Sequence, residues 1–119
     1  MCAASWLLFF ELIRALKKSS DVRAYLRSPL FSKERIASTL SIMEIVLGDA
    51  VNAHLGLPVV LTEGAEEIKE IAGMYTVAAL GAVLDVILTC RIRLKANCIA
   101  LNVADYWMLK MVEVKYKCR

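Results

Sequence analysis

The stretch from Thr76 to Ala96, TVAALGAVLDVILTCRIRLKA, decides the fold. It has no proline, good helix formers throughout, and apolar side chains on nearly every side, with Asp85 the only charge before Arg91. A helix without a polar face has to be surrounded by other protein or by lipid. A bilayer span needs about 20 consecutive, mostly uncharged residues, and the uncharged runs here are only Ile71 to Leu84 and Val86 to Cys90. Asp85 would sit near the centre of such a span, where a carboxylate costs roughly 2.5–3.5 kcal/mol. The stretch therefore reads as the central helix of a small bundle, and no membrane contact is expected.

Composition points the same way. A chain of 119 residues fits one domain, 1–119, and can bury a core without disulfides or metals. Its hydrophobic share is 59%, against about 45–50% for ordinary soluble domains. In a helical protein of this size the surplus implies a face that stays apolar once the core is full, and such a face is normally a subunit interface. The net charge of +3 is unevenly spread: +4 over residues 1–40, −6 over 41–89 and +5 over 90–119. No basic run is dense or interleaved with aromatics, so these charges read as solvated helix faces rather than a nucleic-acid surface.

Cys2, Cys90, Cys98 and Cys118 lie far apart, with no CxxC pair and no Cys/His cluster at zinc spacing. Cys90 and Cys98 sit among apolar residues and read as small core side chains. The start, MCAASWLLFF, lacks the basic region of a signal peptide and runs into the amphipathic ELIRALKK. A cytoplasmic location is expected.

Ahead of the central helix, the spacing of Trp6, Phe9, Phe10, Ile13 and Leu16 predicts a first helix over Ser5 to Lys18. A short second helix starts at Ser20 and is ended by Ser28-Pro29. A third begins with Ser32 as N-cap and runs to a stop at Gly56. It carries one stripe of Ile36, Leu40, Met43 and Leu47, and a second of Ile42, Ile45, Val46 and Ala53 that contains Asp49. A carboxylate among apolar side chains has to be paired or hydrogen-bonded, so Asp49 reads as a structural acceptor for a neighbouring helix. His54, the only histidine, falls in the last turn and reads as a cap or surface residue.

The GLPVVL segment, Gly56 to Leu61, is an extended connection or a short strand. Thr62 should cap a fourth helix, and Thr76 the central one, which continues to Asn97 or beyond. A last helix from about Asn102 to Lys115 carries Val103, Tyr106, Trp107, Leu109, Met111 and Val114. The expected fold is all-α, a bundle of five or six helices joined by short loops. No phosphate loop, dinucleotide fingerprint, zinc-protease motif or nucleophile elbow is present. That shifts the weight from catalysis with a bound cofactor to binding or assembly.

The C-terminal third carries a more specific pattern. LKAN at Leu94 to Asn97, then Asp105, then MLKM at Met108 to Met111, resembles the end of the delta-prime subunit of the bacterial DNA polymerase III clamp loader. Asn97 matches the family's first asparagine and Asp105 its acidic position. Ile99 stands where the second asparagine is expected, with Asn102 nearby as a substitute. LSIMEIVLGDAV resembles the family's aspartate-bearing helix, Asp49 matching and Gly48 replacing the usual arginine. LFFELIRALKKSS and FSKERIASTL are also similar to family helices.

The resemblance implies a C-terminal fragment of a bacterial cytoplasmic protein, the collar domain, without the ATPase-like domains of its parent. It implies no catalysis and no cofactor in this part, partners among the collar domains of the gamma/tau and delta subunits, and only indirect contact with DNA. On the assembly reading, Trp107, Tyr106 and Met108 on the last helix, with Val83 and Val86 on the central helix, are expected to supply core and subunit contacts, and Arg93 is an expected interface residue. A different adaptor is the competing reading, since DVRAYLRSPLFSKE resembles the delta subunit of ATP synthase. A small helical enzyme would have to use Asp49, Asp85 and His54, whose spacing fits no known arrangement.

Overall fold

The computed structural model describes residues 3–15, 31–97 and 99–117, and among them the fold is a helical bundle without strands. Five α-helices follow in order: α1 (Ala3–Ala15), α2 (Ile36–His54), α3 (Ala65–Met74), α4 (Val77–Lys95) and α5 (Ala100–Lys117). A 3-10 turn, Thr62–Gly64, precedes α3. The expected second helix, from Ser20 to Ser28, lies outside the described residues, as do Cys2, Cys98 and Cys118.

The bundle is organised around α2 rather than α4. α2 packs against α1, α3 and α4, whereas the main partners of α4 are α2 and α5. Nine residues of α2 are buried against six of α4, because the two apolar stripes of α2 turn two sides of that helix toward neighbours. α4 buries Ala79, Leu80, Val83, Val86, Ile87 and Cys90 along one side only. Its other side carries Leu88 and Ile92, 59% and 60% exposed. The expectation of a helix enclosed on all sides is thereby corrected: α4 is apolar all round, yet half of it faces outward.

Trp107 ties the ends of the chain together. It is 1% exposed on α5, with its ring 5.7 Å from Phe9 on α1 and 6.2 Å from Phe31 just ahead of α2. Aromatic side chains of this size dominate the energetics of a core. Two exposed ion pairs cross between helices: Arg14 of α1 with Glu70 of α3 through two bonds of 3.0 and 3.1 Å, and Arg91 of α4 with Glu44 of α2 at 2.9 Å. Exposed pairs contribute about 0–1 kcal/mol. They fix how the helices are set against one another more than they hold them together.

Helix ends follow local chemistry. Thr76 caps α4 as expected, its Oγ1 accepting the Ala79 N–H at 3.1 Å. Gly56, at φ +72, ends α2 in a Schellman motif: Leu57 N–H donates to Asn52 O and Gly56 N–H to Ala53 O. α4 stops at Lys95, short of the expected Asn97, because Asn97 takes the left-handed conformation at φ +64. α5 begins at Ala100, two residues before the expected start.

Two expected caps are not caps. Ser32 accepts backbone hydrogen bonds from Arg35 and Ile36 through its carbonyl, in a turn that delays α2 to Ile36. Thr62 opens the 3-10 turn, and α3 begins behind Gly64 without a side-chain cap.

Among the described residues α2 is the one helix long and apolar enough to cross a membrane, and half of that stretch is buried in the bundle. α3 and α4 pass the same test only as a pair bent by 107° at Tyr75–Thr76. A core helix satisfies this criterion as readily as a span does.

Candidate functional site

Asp49 is 2% exposed, yet both of its oxygens are used. Oδ1 accepts the Val60 N–H and Oδ2 the Leu61 N–H, each at 2.8 Å. The carboxylate therefore grips the connection between α2 and α3, where the sequence suggested an acceptor for a neighbouring helix. The physical requirement was legible from the apolar surroundings. The partner was not, because backbone donors in an irregular segment leave no residue signature. Five residues on, His54 Nε2 lies 2.8 Å from the Tyr75 carbonyl, so the end of α2 also meets the end of α3.

Asp49, His54 and Asp85 do not form a catalytic group. The first two are engaged by backbone as described, and Asp85 stands on the exposed side of α4. Among the described residues no hydrogen bond joins any two of them, and no three His, Cys, Asp or Glu side chains converge on a metal-sized space. Cys90 is fully buried, and burial pushes its thiol up to about 11, against a smaller opposite pull from Arg93. A thiol held that high carries almost no thiolate at neutral pH and is a poor nucleophile. It packs as the sequence suggested, its Sγ 4.0 Å from the Val103 carbonyl.

The remaining predicted residues gather where α4 turns into α5. Arg93 lies over the Tyr106 ring with its guanidinium carbon 4.1 Å from the centroid, and Lys110 Nζ approaches the same ring at 5.9 Å. Such stacking is worth about 0.5–1 kcal/mol at an exposed site. Arg93 is therefore already occupied within the chain, and reversing its charge would remove this contact too. Asn97 ends α4, its N–H donating to Leu94 O at 3.1 Å. Asp105 is half-buried on α5 without a side-chain hydrogen bond among the described residues, and Asn102 is exposed.

Trp107 and Met108, at 1% and 0% exposure, are core residues and are not available to a partner. Val83 and Val86 are likewise buried. The outward apolar residues of this region are others: Leu88 and Ile92 on α4, Ile99 in the connection, and Leu101 and Leu109 on α5. They escaped the sequence reading because the inner positions of both helices are equally apolar. Compared with models of protein families, with curated proteins and with solved structures, the chain finds no match.

Proposed function

We propose that this chain is an assembly module, a helical domain whose outward apolar residues on α4 and α5 are covered by neighbouring subunits. The observation that carries the reading is the exposure of large aliphatic side chains around the α4–α5 turn: Leu88 59% and Ile92 60% on α4, Ile99 66% in the connection, and Leu101 49% and Leu109 41% on α5. Single apolar residues on a surface need no explanation, whereas a contiguous exposed apolar patch marks an interaction site. Among the described residues, the thiol of Cys90 is buried and the Asp49 carboxylate and His54 imidazole are engaged by backbone groups.

Within that class the best-supported identity is the collar domain of a clamp-loader delta-prime subunit. Its role is to hold that subunit in a ring with the gamma/tau and delta collars while other domains do the ATP and DNA work of sliding-clamp loading in DNA replication. Support comes from the residues of the resemblance: Asp49 on a helix, Asn97 in the turn two residues past the end of α4, and Asp105 on the helix that follows.

The test is size-exclusion chromatography with light scattering of this chain mixed with the gamma/tau and delta collar domains of the same organism. A mixed complex at micromolar concentration is expected. Elution as separate species at concentrations well above ~10 μM, where even weak interfaces register, overturns the clamp-loader identity.

A further inference from the structure

We propose that the outer face of α4 is a self-complementary docking surface for a second copy of this chain, whose own α4 lies on it in the antiparallel direction. The inference rests on the assembly reading but not on the clamp-loader identity. Gly81, Asp85, Leu88, Ile92 and Lys95 are all exposed and recur at alternating intervals of four and three residues. That interval is the seam of a helix that packs on another helix. Asp85 and Lys95 are the only charges on the seam, and among the described residues neither side chain has an ion-pair partner. The other two cations of this segment are committed elsewhere, Arg91 to Glu44 and Arg93 to the Tyr106 ring.

The order of residues selects the direction. Two antiparallel copies crossing near residue 90 place Leu88 of each against Ile92 of the other, and Asp85 of each against Lys95 of the other. The apolar contact and the ion pair each then form twice, as a twofold interface requires. A parallel pair would set Asp85 against Asp85 and Lys95 against Lys95, which is repulsive. A Cβ placed on Gly81 would meet no atom within 4 Å, so the backbone is open to close approach at that end. Lipid is a poor occupant of the same face, because Asp85 lies in the middle of the helix. One helix face is smaller than the ~800 Å² per partner of a standard interface, so the expected dimer is of micromolar strength.

The test is sedimentation velocity on the full chain from about 10 to 500 μM. The wild type should shift from monomer to dimer, and Leu88→Gln with Ile92→Gln should hold it monomeric with an unchanged helical spectrum. Asp85→Lys and Lys95→Asp should each weaken self-association about tenfold. An equimolar mixture of those two single variants should regain the dimer, since every seam charge then meets its opposite. Failure of the mixture to regain it overturns the antiparallel pairing. A wild type that stays monomeric to 500 μM but co-elutes with the gamma/tau and delta collars overturns this inference and leaves the assembly reading standing. A monomer that ignores both overturns the two together.

Discussion

Asp49 shows what one side chain can do when both its oxygens are saturated. Hydrogen bonds to a charged acceptor are worth about 1.5–3 kcal/mol each, and a buried donor left facing another donor costs a comparable amount. Asp49→Asn keeps the shape but turns an amide N–H toward Val60 or Leu61 N–H. We expect a loss of about 2–3 kcal/mol, read as a lower urea midpoint at unchanged slope; an unmoved midpoint would show the two bonds to be dispensable. Among the described residues, two other buried groups bear on stability at alkaline pH. Burial raises the Cys90 thiol from 9.0 to about 11 and the Tyr75 phenol from 10.0 to about 12. The unfolded chain releases these protons first, so their effect is absent below about pH 9 and stability falls as pH rises from about 9 to 12. Chemical denaturation across that range should show the decline, and Cys90→Ala should remove its lower part.

At the scale of elements, the start of α4 was legible in Thr76, whereas its end at Lys95 falls short of the expected Asn97; each end rests on one residue with a specific chemistry. Thr76 offers a hydroxyl to the Ala79 N–H, and Asn97 tolerates a left-handed backbone that most residues avoid. Asn97→Ala should therefore cost about 1 kcal/mol, while Asn97→Gly should be neutral or slightly stabilising. Thermal melting separates the two, with the alanine variant about 4 °C lower; equal melting temperatures would mean that the left-handed turn carries no strain. The starts of α2 and α3 were not legible in the same way. Ser32 and Thr62 are good capping types, but a hydroxyl caps only if the next three residues are already helical. At Thr62 the chain has just left the grip of Asp49 on Leu61 and first tightens into a 3-10 turn. A tertiary contact, absent from local sequence, sets that boundary.

For the whole molecule, the helical class followed from period and composition, and the surplus of apolar residues pointed to a covered face. Which helix stands at the centre did not follow. α2 and α4 are each 19 residues long and apolar, and periodicity cannot distinguish a helix packed on three neighbours from one packed on two. For the same reason Trp107 and Met108 looked as eligible for an interface as Leu88 and Ile92. Burial assigns the first pair to the core and leaves the second pair outside.

The grip of Asp49 on the connection also bears on the order in which the chain folds. Its two bonds join residues 11 and 12 apart, whereas the Arg14–Glu70 pair that seats α1 spans 56. Closing the longer loop costs about 1.4 kcal/mol more in chain entropy. Entropy thus favours closing the α2–α3 connection before α1 docks, and if that connection forms in the transition state the same Asp49→Asn variant should show it as slowed refolding rather than hastened unfolding.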